Sequence, residues 1–257
     1  MSDLMRVELG ERCEIVWDNP PMNVVSREFT AQLRDALARV SNHRGARVLI
    51  VTGAGGRAFC AGSDIAEFEG LRGRVAEDKL LLEKLVYRQL AKVAVPTIAA
   101  IEGHALGGGL ELALCCDLRV ASEQSKLGLP ELRLGVLPGS GGTQRLARLV
   151  GLARAKEFVL LGEPVTAHRA LEIGLLTRVA PKGGALDAAR GLADIVATRG
   201  PLATRLAKRL LDESVDRTLE EGMALELDAS EAVFGTEDML EGARAFAQKR
   251  DPIFTDR

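Results

Sequence analysis

The stretch His104-Ala105-Leu106-Gly107-Gly108-Gly109-Leu110-Glu111 decides how this chain is read. It follows the short apolar run Thr97–Ile101, which reads as a strand. It opens an apolar segment that reads as a helix over residues 107–116. Three glycines at a helix start weaken it by about 1 kcal/mol each relative to alanine. Close packing of strand on helix accounts for one such residue, and three in a row exceed that need. Backbone N–H groups left bare there can bind developing negative charge, helped by the helix dipole. One such donor is worth roughly 3–4 kcal/mol when charge builds on an acyl oxygen. Glu111 follows Gly108 by three residues and shares its helix face. Its neighbours Leu110, Leu112, Ala113 and Leu114 are apolar, so a buried acid with a task is favoured over a solvated surface residue.

Outward from this turn, strand and helix patterns alternate. Residues 4–9 and 13–17 read as a hairpin and 47–51 as a buried strand, followed by a glycine-rich loop over 53–62. Ser26 can cap a helix whose apolar positions Phe29, Leu33, Leu37 and Val40 recur at helical spacing. Asp64 can cap a short helix reaching about Gly70, and residues 71–92 are charged and helical in pattern. A further strand is expected over 117–121 and a last one over 176–179, with three helices from Pro201 onward. The alternation implies an α/β core with crossover connections over 1–200 and a helical region over 201–257. No internal repeat is visible.

Composition sets outer bounds. The chain has 257 residues, 47% apolar and 27% charged, as expected of a globular protein. A net charge of −2 and 4% aromatic residues leave no electrostatic footprint or stacking platform for nucleic acid, and none for an anionic membrane. Cys13, Cys60, Cys115 and Cys116 form no C-x-x-C pair and read as buried free thiols of a reducing compartment. The first residues, MSDLMRVELGER, hold no apolar core of a signal peptide, so a cytoplasmic location is expected.

Other motifs carry less. The run from Val48 through Gly53-Ala54-Gly55-Gly56-Arg57-Ala58 fits a strand followed by G-x-G-x-x-A, the dinucleotide fingerprint, but Phe59-Cys60-Ala61-Gly62 gives no helix and no acidic partner follows at the right distance. Gly139-Ser140-Gly141-Gly142-Thr143 lacks the ending of a phosphate-binding loop and reads as a flexible turn opening a helix over 143–150. His43, His104 and His168 share no metal-like spacing and read as structural. Gly128-Leu129-Pro130-Glu131 taken alone reads as a first-turn acid. Paired with Glu111 it means more: two carboxylates facing one small site repel, separate their pKa values and can divide acid and base roles.

Four motifs together resemble the enoyl-CoA hydratase/isomerase (crotonase) family. They are Arg57-Ala58-Phe59-Cys60-Ala61-Gly62-Ser63-Asp64-Ile65, Ala105 to Glu111, Leu129-Pro130-Glu131, and Gly135 to Leu146. Phe234-Gly235-Thr236-Glu237-Asp238 and the stretch from Glu241 to Arg250 are similar to that family's ending, so the resemblance spans essentially the whole chain. It implies a spiral of ββα units with a C-terminal helical trimerisation region, assembled as a homotrimer or homohexamer. It implies an acyl-CoA substrate, with coenzyme A part of the substrate and no metal or redox cofactor. By the same resemblance the backbone N–H groups of Ser63 and Gly108 form an oxyanion hole, and Glu111 and Glu131 are the two catalytic acids. Ala61, Ser63, Asp64, Ile65 and Gly108 would meet coenzyme A, joined by Lys249 from a neighbouring subunit. Many members have alanine where this chain has Ser63; the donor is a backbone group, so the change adds a hydroxyl without removing the N–H.

The implied reaction is hydration of an enoyl-CoA. A Δ3-Δ2 enoyl-CoA isomerase is the rival on the same fold, and Glu111 weighs against it because isomerases need mainly the second acid. A non-catalytic RNA-binding relative is disfavoured by the near-neutral charge. The acyl pocket is expected between residues 71–92 and the C-terminal helices.

Overall fold

The computed structural model describes residues 3–257. Strand β1 (Met5–Glu8) pairs antiparallel with β2 (Arg12–Trp17), and β2 pairs parallel with β3 (Val48–Gly53). The sheet continues in parallel through β5 (Thr97–Ile101), β7 (Leu118–Ser122) and β10 (Arg178–Ala180), giving the order β1-β2-β3-β5-β7-β10. A second sheet has the order β4 (Ala58–Cys60), β6 (His104–Leu106), β8 (Lys126–Gly128) and β9 (Val165–Thr166). Each of β3, β5 and β7 therefore hands the chain to a short strand of the second sheet. A helix follows each time: α2 (Leu81–Ala91), α3 (Gly108–Ala113) and α4 (Gly142–Val150), the last succeeded by α5 (Leu152–Leu161) and α6 (Ala167–Glu172). This is the expected ββα spiral, although no sequence repeat announces it.

The large sheet is buried on both faces, which is why β3 and β5 are continuous apolar runs. Strand alternation still sorts their residues. Leu49, Val51, Ala99 and Ile101 join the main core with α1 (Arg27–Ser41). Val48, Ile50, Ile98 and Ala100 pack instead against Ala189 and Ala193 of α7 (Ala185–Ala197). Trp17 fastens the two sheets together. Its indole Nε1 donates to the Phe59 carbonyl at 2.5 Å, and its ring meets Phe29 and Phe59 edge-on at 5.7 and 4.7 Å.

Several boundaries differ from expectation for local reasons. The loop over 53–62 contains β4, since Ala58 and Cys60 find partners in β6 that a local reading cannot supply. That strand, rather than a helix, follows the glycine turn, so the dinucleotide fold is absent here. The helix expected over 107–116 stops at Ala113 because Cys115 and Cys116 donate three residues back, tightening into a turn. Within 71–92 the helix starts late: residues 72–74 form a turn, and a π-helical turn, Ala76–Leu80, leads into α2. The last strand of the large sheet falls at Arg178–Ala180 rather than 176–179.

The three C-terminal helices are α8 (Pro201–Ser214), α9 (Leu219–Phe234) and α10 (Glu237–Gln248). Lys208 of α8 pairs with Asp117, and Arg47 donates to the Phe254 carbonyl, so this region is tied to the core. Along α9, Leu219, Met223 and Leu227 recur every fourth residue and are 74%, 56% and 73% exposed. Cys13, Cys60, Cys115 and Cys116 are free and buried. No helix among the described residues is long and apolar enough to cross a membrane.

Candidate active site

The spiral brings the glycine triplet, Glu111, Glu131 and Ser63 to one cavity of about 910 Å³. Its walls come from the turn after β4, the start of α3, the segment 130–137, and the helical stretch that includes Lys79, Leu80 and Glu83. The C-terminal helices do not line it within one chain. That corrects one half of the expected pocket wall, and the residues over 71–92 supply the other half as expected.

The glycines divide their duties. Gly107 has φ +53°, a left-handed conformation that side chains rarely adopt, and its N–H donates to Gly128. Gly109 packs on β4 so closely that a Cβ there would lie 2.0 Å from the Cys60 carbonyl oxygen. Gly107 and Gly108 both line the cavity, Gly107 against the Glu131 carboxyl and Gly108 beside Ser63. The Gly108 carbonyl accepts from the buried Tyr87 hydroxyl at 2.9 Å, which fixes the peptide. A Cβ on Gly108 would stand 3.7 Å from both the N and Oγ of Ser63. Among the described residues, neither the Ser63 nor the Gly108 N–H has a protein acceptor. The isolated bridge between Val25 and Ser63 holds the Ser63 strand end in place through Val25 N–H to Gly62 O and Asp64 N–H to Val25 O. Two bare, neighbouring N–H groups in a largely apolar cavity form a ready site for an anionic oxygen.

The two acids are held in opposite ways. Glu111 is 3% exposed, and its Oε1 accepts from the N–H groups of Ser140 and Gly142 at 2.8 and 2.7 Å. The turn that reads as merely flexible in sequence is thus a cradle for a carboxylate. Its geometry demands glycine: a Cβ on Gly142 would come within 3.0 Å of Glu111 Oε1 and 2.9 Å of Pro138 Cβ. Burial, reinforced by repulsion from Glu131, pushes the Glu111 carboxyl up to about 7 even against these donors. Glu131 opens a 3-10 turn, Glu131–Leu134, after Pro130, and lies against Gly107. Both its carboxyl oxygens are buried without a partner, and burial pushes this group up to about 7 as well. The pair therefore titrates in the neutral range, where one proton can reside on either acid.

Among the other expected contacts, Ala61, Ser63 and Ile65 line the cavity. Asp64 does not. Its carboxylate turns back to accept from Ala66 N–H and cap the turn Ile65–Glu67. Lys249 ends α10 with φ +55° and lies outside the cavity of its own chain.

Sequence reasoning missed Glu83. It is 1% exposed on α2 and lines the cavity, with Oε1 accepting from Ser140 Oγ at 2.5 Å and Oε2 unpartnered. The available signal was spacing: Lys79, Glu83 and Tyr87 recur every fourth residue, and all three are buried.

Comparison with known proteins identifies the family. The enoyl-CoA hydratase/isomerase family profile matches residues 11–257. The chain is 36% identical over 253 residues to the crotonyl-CoA hydratase of Syntrophomonas wolfei, covering 98% of this chain and 97% of that one. It is 34% identical to the short-chain-enoyl-CoA hydratase of Clostridium acetobutylicum, covering 95% and 94%. The crystal structure of an enoyl-CoA hydratase from Bacillus anthracis superposes with a TM-score of 0.95 at 36% identity, covering 99% of this chain and 100% of that one. The chain thus belongs to the enoyl-CoA hydratase/isomerase family, and its mixed α/β fold is that of the crotonase structures.

Proposed function

We propose that the protein is an enoyl-CoA hydratase. It adds water across the 2,3 double bond of an enoyl-CoA thioester. The observation that carries this reading is that two acids, the buried Glu111 and Glu131 with its buried carboxyl oxygens, line the same cavity as the free N–H groups of Ser63 and Gly108. In this reading the thioester oxygen sits between those N–H groups, which stabilise the enolate that forms as the β-carbon is attacked. Glu111, with two donors on one oxygen, carries the negative charge and takes a proton from water as its oxygen bonds to the β-carbon. Glu131, whose oxygens have no donor, holds the proton and delivers it to the α-carbon. One proton enters the acid pair and one leaves it, so the site resets by passing a proton between the acids. Ala61, Ser63 and Ile65 bind the coenzyme A portion through the turn after β4.

The isomerase alternative needs a single acid to move a proton within the acyl chain. It leaves the elaborate cradle around Glu111 without a task, so hydration is preferred. The decisive experiment gives the purified protein crotonyl-CoA and a 3-enoyl-CoA in parallel. Loss of the enoyl-thioester absorbance with 3-hydroxyacyl-CoA formation supports hydration. Conversion of the 3-enoyl ester without hydration of crotonyl-CoA selects isomerisation instead. We read the apolar stripe on α9 as the contact through which subunits assemble into a trimer or hexamer, in which Lys249 would reach a neighbour's coenzyme A.

A further inference from the structure

The cavity contains a third acid that the hydration chemistry does not use. Glu83 projects from α2 into a wall shared with Leu80, Leu137 and Ser140. One carboxyl oxygen takes the Ser140 hydroxyl at 2.5 Å, and the other is buried with no partner. Lys79, one turn earlier, does not hydrogen-bond to it. The Lys79 ammonium donates instead to the Val25 carbonyl at 2.8 Å and to Glu67 at 2.7 Å. A buried carboxyl oxygen without a partner is costly unless a ligand completes it.

Its position says which part of a ligand would do so. Ser140 lies between two acids, giving its N–H to Glu111 and its hydroxyl to Glu83. Glu83 is thus one serine's width from the acid assigned to the β-carbon. An acyl chain whose reacting carbons meet Glu111 would bring its next carbons past Glu83.

Resting on the acyl-CoA reading of this cavity, we propose that Glu83 and Ser140 form a polar recess that selects acyl groups carrying a hydroxyl just beyond the reacting carbons. A hydroxyl both donates and accepts, so it complements Glu83 whether that carboxyl is ionised or neutral. Burial raises the Glu83 carboxyl, the Ser140 hydrogen bond and Lys79 oppose this, and a hydroxyl suits either outcome. A plain hydrocarbon tail leaves Oε2 unpaired, and sites built to bond a substrate hydroxyl reject the analogue lacking it.

The test measures binding by calorimetry, independently of turnover. Saturated acyl-CoA esters of four to six carbons are compared with their terminally hydroxylated counterparts on the wild type, Glu83→Leu and Glu83→Gln. In the wild type, the best-fitting hydroxy ester should bind about ten- to a hundredfold more tightly than its plain counterpart. Glu83→Leu should abolish or invert that ratio, and Glu83→Gln, which keeps a donor and an acceptor, should retain most of it. Equal binding of hydroxylated and plain esters at every length in the wild type overturns the proposal. So does a Glu83→Leu variant that weakens both esters alike and keeps their ratio, since Glu83 would then only hold Ser140 in place. Crotonyl-CoA hydration separates the two readings. Turnover without hydroxyl preference removes the recess and keeps the hydratase, whereas hydroxyl preference without turnover of any enoyl-CoA does the reverse.

Discussion

The cavity and the C-terminal helices are inverse images of each other. In the cavity, polar groups are buried without partners: both oxygens of Glu131 and one of Glu83. On α9, apolar groups are exposed without partners, at Leu219, Met223 and Leu227. Each arrangement is unfavourable in an isolated chain, the first through desolvation and the second through contact with water. Each is relieved by a different kind of partner. Unpaired buried oxygens call for a small ligand with its own hydrogen-bonding groups, and an exposed apolar stripe calls for another protein surface. Sequence composition averages these two regions into an ordinary globular chain, and only their placement reveals them.

The largest effect should come from removing the proton held in the cavity. Glu131→Gln keeps the shape and loses the acid, and hydration of crotonyl-CoA should fall by about three orders of magnitude in kcat. Steady-state kinetics with the enoyl-thioester chromophore would check this, and near-normal turnover would falsify the acid-pair mechanism. Next in size is Gly142→Ala. The added methyl would collide with Glu111 and Pro138, so the cradle must open and Glu111 must shift. A fall of about a hundredfold in kcat is expected with a smaller change in KM, because a misplaced catalytic group costs rate more than binding. Unchanged kcat in a folded variant would mean that the cradle is not needed for the chemistry.

That cradle also marks where sequence reading stops. Gly107 to Glu111 was legible because its constraints show in the residue types themselves: glycines where φ is positive and where a strand packs close, and an acid one turn on. Thr97–Ile101 was legible to the residue, since a fully buried parallel strand is a continuous apolar run. The Gly139–Gly142 turn was not, because its purpose is a carboxylate 29 and 31 residues earlier in the chain. Strands β4, β6 and β8 are three residues each, too short to show a period, and exist only through one another. Glu83 was hidden in a charged segment whose polar residues look like a solvated face. The catalytic roles themselves came from family resemblance, since spacing alone offered only an anion site and two acids.

The apolar side of the comparison is tested by Leu227→Asp. In a monomer this exposed change should move stability by no more than about 0.5 kcal/mol. If α9 is a subunit contact, a charge there should shift the assembly to smaller species at micromolar concentration, as read by light scattering after gel filtration. An unchanged mass would separate the stripe from assembly. Its effect on hydration should be several-fold at most, through loss of whatever a neighbouring subunit contributes to coenzyme A binding.

The smallest effect is the stability cost of the buried acids, and its sign is fixed by their titration. A carboxyl raised to about 7 in the folded protein, from its ordinary 4.5, resists ionisation only while the chain is folded. Its stabilising contribution is full below about 4.5 and is lost as pH rises through about 7. Glu131→Gln removes this dependence. The variant should therefore match or trail the wild type near pH 4.5 and exceed it above pH 7, by on the order of 1 kcal/mol after allowing for the partial exposure of the residue. Denaturant unfolding at the two pH values checks this with one pair of proteins. A variant less stable than the wild type at alkaline pH would show that Glu131 has a hydrogen-bond partner in the free protein. Of the cavity's carboxyl oxygens only one on Glu83 would then be unpaired, beside the bare N–H groups of Ser63 and Gly108, and the contrast with α9 would narrow accordingly.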